Sequence, residues 1–125
     1  MMKRKANAIL EKQYKEQGSC CIYCKTAVPF EHITRDHLYP KSKGFTLIEN
    51  KVFACLKCNM CKGNLSIEEF RQKITKTIDT ILEKVAANNW KLSISSIKKV
   101  NNYLMITKNL TEIIENGGKP KILFT

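Results

Sequence analysis

Asp36-His37, Asn50 and Asn59 place a carboxylate, an imidazole and two side-chain amides in one short stretch of the chain. Hydrolysing a phosphodiester needs a base for water, a cation for the developing charge, and a group that holds the base in place. His37 fits the first need, because an imidazole titrates near neutrality and small shifts tune it. Asp36 fits the second, because a hard cation such as magnesium prefers a carboxylate. Asn59 can add an amide oxygen to the same cation. Asn50 can orient His37 or pin its loop through hydrogen bonds. Taken alone, an Asp-His pair is usually a surface carboxylate beside a satisfied histidine. On a strand the two side chains point to opposite faces, so they serve different partners unless a bulge turns both inward.

The same stretch is enclosed by cysteines. Cys21-Ile22-Tyr23-Cys24 and Cys55-Leu56-Lys57-Cys58 are two Cys-x-x-Cys pairs with thirty residues between Cys24 and Cys55. Two such turns brought together make a tetrahedral four-thiolate zinc site. Four thiolates leave no open position for substrate, so the expected role is structural. Cys58 and Cys61 form a competing pair with the same spacing. Cys55 with Cys58 is preferred, because it leaves Asn59 free just outside the zinc shell. Cys20 and Cys61 are then small packing or exposed thiols.

Asp36-His37, twelve residues, Asn50, eight residues and Asn59, then Lys62, interlocked with the cysteine pairs, resemble the HNH endonuclease family in order and spacing. The segment Asp36 to Phe45 resembles the family's first strand and loop, and Asn50 to Gly63 resembles its return strand and helix start. The resemblance covers about residues 20–65. It implies a β-hairpin and helix wrapped round one divalent ion, the ββα-metal or His-Me finger unit. It implies His37 as general base, Asp36 and Asn59 as ligands of a catalytic Mg2+ or Mn2+, and Asn50 as support for the loop and the histidine. It also implies DNA as substrate, with products that carry a 5′-phosphate and a 3′-hydroxyl. This chain would be an H-N-N variant. Lys62 is a candidate phosphate contact, with a solvated helix lysine as the plain alternative. Arg35 can pair with a phosphate or with Asp36. His32 reads as a surface or packing histidine.

The elements that would position these residues follow from pattern. Residues 5–17 are rich in helix formers and stop at Gly18. Residues 18–27 form a turn carrying the first cysteine pair. Short strands are expected over 33–38 and 51–55, with a loop over 40–49 punctuated by Pro40 and Gly44. A helical turn starts near Asn59 and breaks around Gly63. Ser66-Ile67-Glu68-Glu69 is a capping box. It opens a helix with apolar residues at Ile67, Phe70, Ile74, Ile78, Ile81, Leu82 and Val85, close to the 3.6-residue period. Lys73, Lys76, Lys84 and Arg71 lie opposite that stripe, the usual pattern of a solvated face. A last helix is expected over about 96–116, stopped by Gly117-Gly118, with an extended tail after it. Trp90 and Tyr103 read as core. The expected fold is therefore α+β: a zinc-stapled ββα-metal unit at about 18–65 and a C-terminal helical extension at about 66–116, within one domain spanning 1–125.

Composition narrows the partners. The chain has 125 residues and a net charge of +11, from 22 Lys+Arg against 11 Asp+Glu. That excess favours a polyanion and a salt-sensitive affinity. It does not by itself separate DNA from RNA or an anionic membrane surface. No apolar run approaches the roughly 18 residues of a membrane span, and no secretory apolar core follows Met1-Met2-Lys3-Arg4-Lys5. The expectation is a cytoplasmic protein, where six cysteines serve as ligands or free thiols. Residues 66–125 show no DNA-reading motif. A homodimer or a targeting protein is the further partner their apolar helices could serve. The rival of a different class is a zinc-dependent nucleic-acid-binding module without cleavage, which needs the cysteines and the charge but not His37. A third possibility is a cleavage subunit that depends on a partner for targeting.

Overall fold

The computed structural model describes residues 4–40 and 51–117. The loop expected over 40–49 lies almost wholly outside the described residues, as do Asn50, Gly118 and the tail. Helix α1 spans Arg4–Gln17, and Gly18 follows at φ 108, a left-handed conformation that glycine adopts without strain. Strands β1 (Thr34–His37) and β2 (Lys51–Ala54) pair antiparallel, with Asp36 opposite Val52 and His37 opposite Lys51. Helix α2 (Leu56–Lys62) follows β2 directly. Helices α3 (Ile67–Ala87) and α4 (Ile94–Glu115) complete the order. The protein is α+β, and β1, β2 and α2 in succession make a ββα unit flanked by helices.

Each boundary has a local cause. Helix α2 starts earlier than the expected turn at Asn59, because Cys55 caps it: its sulfur accepts the Cys58 N–H at 3.4 Å. Ser66 and Glu69 form the reciprocal capping box at the start of α3, at 3.2 and 2.9 Å. Ser93 caps α4 through the Ser96 N–H, so that helix also begins earlier than expected.

The core collects both knuckles, β2 and the inner faces of α3 and α4. Ile67, Phe70, Ile74 and Ile78 of α3 meet Ile106, Leu110 and Ile113 of α4 in one buried cluster with Tyr23, Leu38 and Val52. Of the expected α3 stripe, Val85 is also buried, Ile81 is half-buried and Leu82 is exposed. Trp90 corrects the sequence reading. It is 70% exposed, in the link between α3 and α4, with φ at 63°. The link turns outward there and carries the indole away from the core. Tyr103 packs partly buried against the core as expected. No described helix is long and apolar enough to cross a membrane.

Two side chains tie the flanking helices to the ββα unit. Gln17 is buried at the end of α1; its amide nitrogen donates to the carbonyls of Cys20 and Phe53, and its oxygen accepts the Phe53 N–H. Asn109 is buried on α4 and donates to the Tyr23 carbonyl.

Candidate functional site

The first knuckle is a tight loop between Cys20 and Ala27, which bridge in antiparallel fashion. The Cys21 N–H donates to Thr26 O and the Lys25 N–H to Cys21 O, with Lys25 at φ 61° closing the turn. Both sulfurs of the pair thereby face one side. The Ile22 N–H donates to Phe53 O and fixes the loop against β2. The second pair sits at the N-terminal end of α2, with Cys55 as the cap and Cys58 one turn in.

The two pairs converge. The sulfurs of Cys21, Cys24, Cys55 and Cys58 lie within 4.8 Å of one another, and Cys24 and Cys55 are 3.9 Å apart. Bonds of about 2.3 Å in a tetrahedron put sulfurs about 3.8 Å apart, so both donor chemistry and spacing fit zinc. Crowding also splits the thiols. Hydrogen bonds from Cys21 and then Cys58 push Cys24 strongly down toward the thiolate. Cys21 is pushed up to about 12, mainly by its hydrogen bond to Cys24, and Cys58 is pushed up chiefly by Cys21 and Cys24. Sulfurs packed this closely hold their charge together only around a cation. Cys20 and Cys61 are half-buried thiols outside the set.

Strand β1 carries the Asp-His pair, and alternation separates the two side chains. Asp36 is buried and His37 partly so. The carboxylate Oδ2 of Asp36 accepts from the Tyr23 hydroxyl at 2.6 Å and lies 3.2 Å from Lys62 Nζ. Burial raises the Tyr23 hydroxyl well above its ordinary pKa, with the neighbouring Asp36 charge adding to it. Burial lowers Lys62, and Asp36 partly opposes that shift. Lys62 also donates to the His37 carbonyl. It was a candidate phosphate contact, but it is 1% exposed, and its ammonium is turned inward to a carboxylate and a carbonyl. One lysine thus grips both members of the Asp-His pair, Asp36 by its side chain and His37 by its backbone. The imidazole Nε2 of His37 is enclosed by protein.

Asn59 faces the same strand from α2. Its Nδ2 donates to Thr34 Oγ1 at 2.9 Å and to the Arg35 carbonyl at 3.2 Å, and its Oδ1 takes no part in these two bonds. Asp36 and Asn59 therefore lie on facing elements. They offer one carboxylate oxygen and one amide oxygen, donors that suit a small hard cation keeping several waters. Among the described residues, the four cysteines are the one group of three or more His, Cys, Asp or Glu side chains close enough to hold a metal. Arg35 is exposed on the outer side of β1, and His32 is exposed as well.

Tyr23 and Asn109 were missed by sequence reasoning. Tyr23 sits between Cys21 and Cys24, a place that carries no signal of its own. Asn109 did leave one: it is a polar residue set into the apolar spacing of Ile106, Leu110 and Ile113.

The fold and the cysteine site define a ββα unit stapled by a four-cysteine cluster. Residues 21–75 match the family model for HNH endonuclease. No curated protein matches the chain. Among solved structures, the crystal structure of the Type II-C Cas9 enzyme from Actinomyces naeslundii is similar, at 18% identity and a TM-score of 0.46. The match covers 88% of this chain and 12% of that one, so this chain spans a small fraction of that enzyme's length.

Proposed function

We propose that this chain is a metal-dependent DNA endonuclease of HNH type that hydrolyses phosphodiester bonds. The observation that carries the reading is the grip on Asp36-His37: Lys62 pairs with Asp36 and donates to the His37 carbonyl, while Asn59 of α2 hangs on the same strand. Lys62 thereby fixes the Asp36 carboxylate and the backbone that carries the His37 imidazole relative to α2.

In this reading His37 takes the proton from water and turns it into the nucleophile. Asp36 Oδ1 and Asn59 Oδ1 would hold Mg2+ or Mn2+, which when bound supplies charge stabilisation to the phosphoryl and leaving oxygens. Asn50 would steady the loop before β2 and the histidine. Arg35, exposed on β1, would contact backbone phosphate. Cys21, Cys24, Cys55 and Cys58 would hold a structural Zn2+ and keep both ends of the segment together. The products would be a 5′-phosphate and a 3′-hydroxyl. We take the whole chain, 1–125, as one cytoplasmic domain.

Supercoiled-plasmid nicking in a Mg2+ and Mn2+ titration tests the reading. Wild type should nick only with the divalent ion, and Asp36→Ala with Asn59→Ala should lose the stimulation at full zinc content. Nicking that needs neither the ion nor these two residues would contradict it.

One observation favours a second reading. The Oδ2 of Asp36 is already committed to Tyr23 and Lys62, which leaves a single carboxylate oxygen for a catalytic ion. A zinc-dependent nucleic-acid-binding module without cleavage would show that arrangement too. It predicts salt-sensitive DNA binding with no nicking at any ion concentration.

A further inference from the structure

Between the cysteine cluster and α4 lies a cleft of about 400 Å3. Its floor is formed by Cys24, Cys55 and Cys58 of the cluster, and its walls carry Thr26, Lys57, Lys98, Lys99, Asn102 and Tyr103. Three lysines, two residues with hydroxyls and an asparagine line it, and no carboxylate is among the described residues that do. The three lysines give the cleft a net positive charge, which suits an anion. We propose that the cleft is a second DNA-backbone site, in which Lys57, Lys98 and Lys99 contact phosphates beyond the one that is cut. The proposal rests on the nuclease reading for its choice of DNA.

Position supports it. Cys58, in the cleft floor, and Asn59, facing β1, are consecutive on α2 and point about 100° apart round the helix axis. A nucleic-acid strand could therefore pass from one side of α2 to the other. The helix that carries the far wall, α4, is anchored beyond it by Ile106, Leu110 and Ile113 in the core and by Asn109 on the Tyr23 carbonyl. Lys57, Lys98 and Lys99 are all exposed, so their charges reach the mouth. A four-thiolate zinc carries two negative charges, which three lysines outnumber. The thiolates of Cys21, Cys24 and Cys58 are also buried beneath them, so a phosphate at the mouth meets ammonium first.

The test compares salt dependence of duplex binding without added Mg2+ or Mn2+, in zinc-loaded full-length protein. Each phosphate contact contributes about one to the slope of log K against log salt. Lys98→Ala with Lys99→Ala should lower the slope by about two. Lys98→Arg with Lys99→Arg should restore it. Lys76→Ala with Lys84→Ala removes the same charge from the exposed side of α3 and should leave the slope close to wild type. Equal slopes for the two alanine pairs would overturn the proposal, as would wild type that does not bind DNA at low salt. Faster zinc loss with an unchanged slope would also overturn it, because the lysines would then serve the thiolates. Plasmid nicking is scored separately. Wild type that nicks while Lys98→Ala with Lys99→Ala keeps its slope sinks the cleft and leaves the nuclease. Wild type that never nicks while the slope falls sinks the nuclease and leaves the cleft.

Discussion

Asp36 carries two donors on one oxygen, and the hydroxyl of Tyr23 is the nearer of them at 2.6 Å. Tyr23→Phe keeps the ring packed against Phe70 but leaves a buried carboxylate short of a donor. Such a loss costs about 1–3 kcal/mol. The same change frees the carboxylate to turn. Outer groups that orient a metal ligand are worth about 10–100-fold in metal affinity or activity. Urea denaturation should therefore show lower stability at equal zinc content, and Mn2+ binding followed by electron paramagnetic resonance should weaken about 10-fold or more. Unchanged stability and unchanged Mn2+ affinity together would mean that the hydroxyl positions nothing. At this scale residue types were readable and their partners were not. Asp36, His37 and Asn59 stood out by chemistry and spacing. That Lys62 turns inward depends on the way α2 lies on β1, which a lysine in a short helix does not reveal.

At the scale of elements, the strongest local signals were those in which neighbouring residues satisfy each other. Ser66-x-x-Glu69 announced the start of α3, and both bonds of the box are present. Ser66→Ala should cost about 1 kcal/mol, visible as a shift in the urea midpoint without a change in slope; no shift would mean that the cap contributes nothing. Boundaries set by less usual partners were harder. Cys55 caps α2 through sulfur, so the helix starts before the residues that favour it. Burial at the hairpin between α3 and α4 was not readable from periodicity either. Ile94, Ile97 and Leu104 keep helical spacing yet are 73%, 42% and 51% exposed. A period says which residues share a face. Whether that face is covered depends on what packs against it.

For the whole molecule, the cysteine cluster is the joint on which the rest depends. A zinc ion held there would bind the first knuckle to the start of α2, and so hold β1, β2 and α2 in one arrangement around Asp36 and His37. Small domains gain much of their stability from such staples, and metal binding free energy becomes folding free energy. Stripping the metal with a strong thiol-compatible chelator should lower the melting temperature and abolish nicking, although none of the four cysteines is a catalytic group here. Re-addition of Zn2+ should restore both. A stripped protein with unchanged melting would show that the cluster is not a structural joint. The net charge of +11 then acts at the longest range, drawing the molecule to a polyanion without saying where it binds. The most direct measurement is supercoiled-plasmid nicking by wild type and His37→Ala, matched for zinc content and DNA affinity. A general base contributes about 10²–10⁴-fold, so His37→Ala should bind DNA as wild type does and nick at least about 100-fold more slowly. Equal nicking rates for the two proteins would contradict a hydrolase built on His37.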